Sequence, residues 1–311
     1  MVYLIVFLAL VALTVKGYCG KRISTDAQGV FDTSMFNLLR LVMCTVIGFC
    51  IVLAGNAGET LAIDGGMLAI CILAGASNAA FLVGWMLAVQ KNTMVAVDVT
   101  LTLGALLPAV LCAVFFHEPI SLGKLCGFAL ILMASFVLSK NGKGVKKKAG
   151  FLSVFLLVFA ALGDGLTGFS QQLFKQFYTT NGTHTSGRIY PDAVYHFYTY
   201  VFAALILLLL LIGLLLVRRR QGVTLPSRRG AYLHALPYIA VMAICLFGAN
   251  YAQTTATGSF GMPSQVLYPV IKGGCLITAN VTALFFGERF TKRSALGTGI
   301  ALCGIICLNL L

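Results

Sequence analysis

The sequence predicts an all-α membrane protein with ten transmembrane helices, arranged as two inverted repeats of five helices each. Composition is the first reason, since 59% of the residues are hydrophobic and only 10% are charged, against about 25% charged residues in a typical soluble domain. The second reason is the length of the apolar runs, because about 20 mostly apolar residues span a bilayer as a helix. The third reason is an internal duplication of helices and turns.

The duplication becomes visible when the chain is shifted by 170 positions, from Phe115 to Phe285. The residues F-F-H-E at 115–118 then coincide with F-F-G-E at 285–288. Further small and apolar residues coincide in the same register: Gly104 with Gly274, Leu106 with Leu276, Ala109 with Ala279, Ala113 with Ala283, and Gly127 with Gly297. A register that is kept across two helices and their turn predicts a duplicated helical hairpin.

Ten apolar segments account for nearly the whole chain, which leaves no room for a separate soluble domain. The predicted helices cover residues 2–16, 34–54, 66–89, 94–116, 121–139, 150–177, 192–217, 232–257, 263–286 and 294–310. They define a first repeat at 1–140, a basic linker at 141–149 and a second repeat at 150–311. The first segment also has the length of a signal peptide, but no basic stretch precedes it, and the duplication requires five spans in the first half.

An odd number of spans per repeat gives the second repeat the opposite orientation in the membrane. This is the plan of many secondary transporters, which bind their solute near the midplane between the repeats. The basic loops follow predicted helices one, five, seven and nine. Because basic loops face the cytoplasm, this pattern places both termini outside, an arrangement that is not expected for this architecture.

The net charge of +13 does not indicate a nucleic-acid-binding protein, because the basic residues lie in short loops between apolar runs. Loop cations in such positions set the topology and contact lipid headgroups. The ten cysteines are scattered through apolar runs without metal-ligand or disulfide spacing, so that each is interpreted as a small buried hydrophobe. We therefore expect no metal, no cofactor and no nucleic-acid partner.

The two hairpins resemble those of the drug/metabolite transporter superfamily, in its ten-helix EamA-type branch. The resemblance extends to Gly127 and Gly297 in the helices that follow, to Arg40 near the start of helix two, and to Pro269 in helix nine. It implies solute transport through a central cavity lined by helices one, three, four, six, eight and nine. Two departures are Val99 at the repeat position of Pro269 and the lack of a glutamate in helix one. The second departure argues against proton-coupled export of drug cations.

Three ionisable residues within the predicted spans are candidates for solute transport, because a charge inside the bilayer is costly unless it is paired or hydrated. Asp98 in helix four and Lys272 in helix nine have comparable depth in the two repeats. Together they would bind the ammonium and carboxylate groups of a zwitterionic solute, or pair with each other to hold the two helices together. Asp164 in helix six, between Gly163 and Gly165, is a proton-coupling candidate, with a local hydrogen bond to backbone or hydroxyl as the structural alternative.

The candidate solute-binding set also contains polar and aromatic side chains. Asn78 and Asn250 coincide when the chain is shifted by nearly the same number of positions as in the duplication. Amides in such positions would bind solute or bridge helices. The remaining members lie on helices three, eight and nine: Trp85, Gln253 and Tyr268. The single tryptophan would pack against the solute, the lipid or the core. Arg40 is expected to snorkel to the membrane edge or to have a structural role.

The sequence therefore predicts a multi-pass protein of the cell membrane that is a secondary transporter and not an enzyme. We expect a small polar or amphipathic solute, amino-acid-like because of Asp98 and Lys272, that moves by alternating access, with proton coupling through Asp98 or Asp164. A multidrug exporter of the same superfamily is the alternative within this class. A membrane scaffold, a channel and a membrane-embedded enzyme are alternatives of other classes. The bilayer is an expected partner, and helices five and ten, rich in small residues, are a candidate homodimer face.

Overall fold

The described part of the chain contains α-helices and no β-strand. The structure is a computed structural model, and it describes residues 1–27, 29–55, 61–91, 94–104, 106–117, 121–139, 151–182, 188–221, 229–285 and 291–310. The prediction of an all-α protein is confirmed for these residues.

Eleven helical segments follow one another within the described residues. In chain order they are α1 (Val2–Ile23), α2 (Gly29–Ala54), α3 (Gly65–Lys91), α4 (Met94–Gly104), α5 (Leu106–Phe116), α6 (Leu122–Ser139), α7 (Phe151–Tyr178), α8 (Asp192–Arg220), α9 (Arg229–Gly258), α10 (Ser264–Phe285) and α11 (Lys292–Leu310). Segments α4 and α5 lie on either side of residue 105 and together correspond to the predicted span at 94–116.

Helix α1 is longer than its predicted span, which ends at residue 16. It continues to Ile23, with Lys21 and Arg22 in its last turn, where positive charges interact favourably with the helix dipole. Cys19 and Ile23 are buried, because α1 packs against α9 and α10. The predicted end is therefore wrong, and Lys16 lies about two turns inside the helix.

Six of the described helices are long and apolar enough to cross a membrane, namely α1, α2, α3, α7, α8 and α9. Large apolar side chains are exposed along these helices, including Leu4, Phe7, Val46, Phe49, Leu209, Leu216 and Ile244. An apolar surface of this extent suits the hydrocarbon core of a bilayer rather than water. The helices are thus those of an integral membrane protein.

Helix packing places α3 at the centre of the bundle, between α7 and α8. Helix α1 packs against α9 and α10, α2 packs against α8 and α9, α6 packs against α11, and α10 also contacts α4, α5 and α11. The main hydrophobic core joins side chains of α1, α2, α3, α4, α7, α8 and α9, including the fully buried Leu41, Leu82 and Ala160. This arrangement surrounds the interior with helices from both halves of the chain.

Arg40 belongs to this interior and not to the membrane edge, since only 1% of its surface is exposed. Its Nη2 donates a hydrogen bond to Oδ1 of Asn37. The Nδ2 of Asn37 in turn lies 2.9 Å from the backbone carbonyl oxygen of Thr33 and 3.2 Å from that of Leu82. Of the two alternatives for Arg40, snorkelling is therefore wrong, and the structural role agrees with the contacts, since the side chain is linked to α3 through Asn37.

Some predicted features lie outside the described residues. They are the basic linker at 141–149 and the turn glutamates Glu118 and Glu288. The boundary that the linker sets between the two repeats therefore stays a prediction.

Candidate functional site

Two adjoining cavities lie inside the helix bundle, and Leu13, Lys16, Phe81 and Lys272 line both of them. Cavity A lies between α1, α3, α4 and α10. Cavity B lies between α1, α3, α5, α7, α9 and α10. These helices correspond to predicted helices one, three, four, six, eight and nine, which the family resemblance implies as cavity-lining helices.

Four lysine and aspartate side chains line the cavities. Lys16 and Lys272 belong to both cavities, Asp98 to cavity A and Asp164 to cavity B. Sequence analysis identified three of them, but not Lys16. The two lysines and two aspartates give the cavity walls a balanced formal charge, so that a solute without net charge fits them best.

Lys272 forms an ion pair with Asp164, and its Nζ lies 2.6 Å from Oδ2 of the carboxylate. The pair joins α10 to α7, and both side chains are about 15% exposed, at 15% and 14%. Asp98 and Lys272 line the same cavity, but the ion-pair partner of Lys272 among the described residues is Asp164. An interior ion pair therefore exists, between a different pair of helices from the one that the sequence indicated.

Asp98 lies on α4 in the wall of cavity A. Its backbone carbonyl accepts a hydrogen bond of 2.8 Å from the hydroxyl of Thr102 one turn later. Within the described part of the chain, no side chain forms an ion pair or a hydrogen bond with its carboxylate. Asp98 thus presents a carboxyl group to cavity A that is available to a ligand.

Lys16 is the cavity residue that sequence analysis missed. It is only 6% exposed, and its ammonium nitrogen lies 5.1 Å from the centroid of the Phe81 ring and 5.4 Å from that of Trp85. The signal that could have identified it is the run Val-Lys-Gly at 15–17, since apolar and small residues flank the lysine on both sides. A predicted helix that ends at Lys16 assigns it to the membrane edge.

Cavity B has a polar wall built around Tyr268. The hydroxyl oxygen of Tyr268 lies 2.8 Å from the backbone carbonyl oxygen of Gly168 and 2.9 Å from Oε1 of Gln171. Gln172 Nε2 approaches the same hydroxyl at 3.4 Å. Gln253 also lines cavity B. The structure therefore brings Tyr268 and Gln253 to one polar cavity.

Asn78 and Asn250 have different surroundings despite their related positions. Asn250 lines cavity B, and its Nδ2 donates a 2.9 Å hydrogen bond to the hydroxyl of Tyr200. Asn78 is 1% exposed, does not line either cavity, and neither polar atom of its amide has a hydrogen-bond partner in the described residues. Trp85 is buried and forms part of the wall of cavity A, so that it contacts the protein interior and not lipid.

The cavity walls carry the polar groups that the apolar outer surface of the bundle lacks, so that a polar solute can bind in the cavities. Cavity A combines the charges of Lys16 and Asp98 with apolar walls, and cavity B adds amide and hydroxyl groups. Buried sites of this kind, apolar with a few polar groups in fixed positions, are typical of small-molecule binding.

Comparisons with known proteins identify the fold and no family. No family model and no curated protein matches the chain. Among solved structures, 26 chains match it. One of them, a crystal structure of a protein, has a TM-score of 0.67 at 12% sequence identity, over 99% of this chain and 97% of that chain. At this identity the match establishes a shared fold alone.

Proposed function

We propose that the protein is a secondary transporter that moves a small polar or amphipathic metabolite across the cell membrane. The observation that carries the proposal is the pair of interior cavities, which two lysines and two aspartates line inside an apolar helix bundle. Ionisable residues within membrane helices are costly and mark solute or ion pathways. A membrane scaffold does not need such an interior.

The packing of the helices supports two inverted repeats. We count α4 and α5 as one span and pair each helix of the first half with its counterpart in the second half: α1 with α7, α2 with α8, α3 with α9, α4–α5 with α10, and α6 with α11. When each helix is replaced by its counterpart, every main contact becomes an observed contact. The contact of α3 with α7 corresponds to that of α9 with α1, and α3 with α8 corresponds to α9 with α2. The contacts of α2 with α8 and of α6 with α11 join counterpart helices, so that the exchange leaves them unchanged. Such a pattern is expected when two equivalent halves pack around a pseudo-twofold axis.

Two glycines that the repeat relates also lie at equivalent helix crossings. A Cβ atom at Gly104 on α4 would lie 2.5 Å from the carbonyl oxygen of Ala161 on α7. A Cβ atom at Gly274 on α10 would lie 2.8 Å from the side chain of Leu10 on α1. Under exchange of the halves, α4 against α7 is the same contact as α10 against α1, which supports the register of the duplication.

We propose on these grounds that the chain is a member of the drug/metabolite transporter superfamily, in its EamA-type branch. The grounds are the duplicated hairpins, the helices that line the cavities, and the exchange-related packing. The same grounds favour a carrier over an enzyme. They also favour a small-molecule solute as the ligand of a protein that is embedded in the bilayer. A homodimer across predicted helices five and ten remains a separate proposal.

Alternating access would follow from a rearrangement of the two halves around the cavities. Amino-acid-like solutes are favoured, because a zwitterion supplies an opposite charge for both an aspartate and a lysine. Asp164 remains the proton-coupling candidate. Its carboxylate contacts Lys272 at 2.6 Å, so that a change in this ion pair would be coupled to movement of α7 relative to α10.

Transport by the purified protein in liposomes tests the proposal. A panel of radiolabelled amino acids, nucleosides, sugars and lipophilic cations is offered to proteoliposomes, with protein-free liposomes and the variants Asp98→Asn and Lys272→Met as controls. We expect saturable uptake of at least one polar solute, which Asp98→Asn abolishes. Uptake that is restricted to lipophilic cations would identify a multidrug exporter. If the folded protein moves none of these solutes, the transport proposal is rejected and a scaffold is favoured.

A further inference from the structure

The two halves of the chain carry the same pair of charges with the signs exchanged. In the first half the lysine, Lys16, lies on α1 and the aspartate, Asp98, on α4. In the second half the aspartate, Asp164, lies on α7, which is the counterpart of α1, and the lysine, Lys272, lies on α10, which is the counterpart of α4. Each half thus contains one cation and one anion on equivalent helices.

Of these two pairs, only the one in the second half forms an ion pair among the described residues. Lys272 and Asp164 are in contact at 2.6 Å. Lys16 and Asp98 line the same cavity A, but among the described residues they form no ion pair with each other or with another side chain. Cavity A therefore offers a lysine on α1 and an aspartate on α4 that form no ion pair among the described residues, beside Lys272, which is paired with Asp164.

Aromatic rings hold the ammonium group of Lys16 in position but provide no strong hydrogen-bond acceptor for its N–H groups. The rings of Phe81 and Trp85 lie 5.1 Å and 5.4 Å from the nitrogen, and a ring face attracts a cation by its quadrupole. A ring offers only a weak acceptor to the N–H donors, which among the described residues have no hydrogen-bond partner. A carboxylate that entered cavity A would accept charge-assisted hydrogen bonds from these donors.

We propose that Lys16 and Asp98 are the solute-binding pair of cavity A, with Lys16 binding the carboxylate and Asp98 the ammonium group of a zwitterionic amino acid. The assignment rests on the proposed transport function and deepens it. It gives the carboxylate-binding role to Lys16 and leaves Lys272 as the partner of Asp164. The two residues determine specificity, because a solute must carry both a carboxylate and an ammonium group to pair with both side chains.

The rest of cavity A defines the side chain of this amino acid. Apolar groups from three helices line it, including Leu13, Leu101 and Ala279, next to the rings of Phe81 and Trp85. A second carboxylate or a phosphate would be repelled by Asp98. The solute class is therefore an amino acid with an uncharged, apolar side chain.

A purely structural role for Lys16 makes a different prediction. In that case the ammonium only joins α1 to α3 through the two rings, and the affinity for a carboxylate does not depend on it. The two explanations separate when binding is compared for solutes that share a side chain but differ in charged groups. Leucine, 4-methylpentanoate and 3-methylbutylamine form such a set, since the second lacks the amino group and the third lacks the carboxylate.

The protein contains a single tryptophan, and Trp85 lies in the wall of cavity A, so that its fluorescence reports on binding at this site. The wild type and four variants are titrated in detergent with the three probes: Lys16→Met, Lys16→Arg, Asp98→Asn and the matched control Lys21→Met. Lys21 lies on the same helix and outside both cavities. Transport of leucine in proteoliposomes is measured in parallel.

We expect Lys16→Met to weaken binding of leucine and 4-methylpentanoate by about 10- to 100-fold, the effect of a lost charge-assisted hydrogen bond, and to leave 3-methylbutylamine unchanged. Asp98→Asn should weaken leucine and 3-methylbutylamine instead. Lys16→Arg should retain more affinity than Lys16→Met, and Lys21→Met should equal the wild type. If Lys16→Met does not fold, the wild type decides, since equal affinities for leucine and 3-methylbutylamine contradict a carboxylate-binding role for Lys16.

Two other results would overturn the inference. One is equal binding of leucine by the wild type and by folded Lys16→Met. The other is the failure of all three probes to bind to a protein that transports a different solute, which rejects the assigned solute class and leaves the transport proposal intact. Failure of the wild type to transport any solute rejects both proposals.

Discussion

Lys272 on α10 and Asp164 on α7 are joined by a 2.6 Å ion pair in the interior of the helix bundle. Both residues are in the second half of the chain, while Lys16 and Asp98 of the first half line cavity A without an ion pair in the described residues. The second half therefore contains an ion pair, while the lysine and the aspartate of the first half remain unpaired among the described residues.

Replacement of Lys272 by methionine should destabilise the protein, because it leaves the Asp164 carboxylate unpaired in the interior. Loss of one partner of a buried ion pair costs about 3 kcal/mol. Unfolding of Lys272→Met in mixed detergent micelles should show a loss of this size. The double variant Lys272→Met/Asp164→Asn should recover most of it, to within about 1 kcal/mol of the wild type. Strictly additive losses in the double variant would contradict an energetic coupling between the two residues.

Replacement of Gly104 by alanine tests the close crossing of α4 and α7. The added Cβ would lie 2.5 Å from the carbonyl oxygen of Ala161, and a rigid backbone atom cannot move away as a side chain can. We expect a loss of about 1–3 kcal/mol from overpacking. Gly213→Ala on α8 is the matched control, because nothing lies within 4 Å of its Cβ, and it should be neutral or stabilising by up to about 1 kcal/mol. Equal stabilities of the two variants would contradict this packing.

The sequence alone predicts the helices well, and the physical reason is that lipid requires long apolar segments. Charged partners are harder to predict. Asp98 and Lys272 were paired because the repeat gives them comparable depth, but depth does not determine which helices are neighbours. Lys272 contacts Asp164 because α10 and α7 both border cavity B, which is a tertiary relationship.

The position of Lys16 shows a second limit. A lysine at the end of an apolar run is ambiguous, since it can end the helix at the membrane edge or continue it into a bundle. The continuation to Ile23 depends on packing against α9 and α10, which the local sequence does not encode. The same reason applies to Arg40. Its hydrogen bond to Asn37 lies within α2, but the contact of Asn37 with the carbonyl of Leu82 depends on the position of α3 beside α2.

Asn78 and Asn250 should respond in opposite ways to replacement by leucine. The amide of Asn78 is buried without a hydrogen-bond partner in the described residues, so that Asn78→Leu removes an unsatisfied polar group and should leave stability unchanged or raise it by about 1 kcal/mol. Asn250→Leu removes the hydrogen bond to Tyr200 and should cost about 1–3 kcal/mol. Thermal unfolding of both variants provides the measurement. A large loss for Asn78→Leu would indicate a bound water or solute at this amide.

Asp64 should make the stability of the protein depend on pH in the acid range. It precedes α3, and its Oδ1 accepts hydrogen bonds from the backbone N–H of Met67 at 2.7 Å and from the hydroxyl of Tyr178 at 2.8 Å. Desolvation raises the pKa of the Asp64 carboxyl, but these hydrogen bonds outweigh it, so that the pKa is lower than its ordinary value. Its ionised form is therefore favoured by folding.

A lowered pKa in the folded state stabilises the protein above the ordinary pKa of aspartate, about 4, and the contribution is lost as the pH falls through the folded-state value. Wild type and Asp64→Asn should therefore have parallel melting temperatures between about pH 5 and 7 and converge below about pH 4. Tyr178→Phe removes one donor and should reduce the pH-dependent difference. Thermal unfolding from pH 3 to 7 measures the effect. A difference between wild type and Asp64→Asn that is constant over this range would show that Asp64 contributes through its shape and not through its charge.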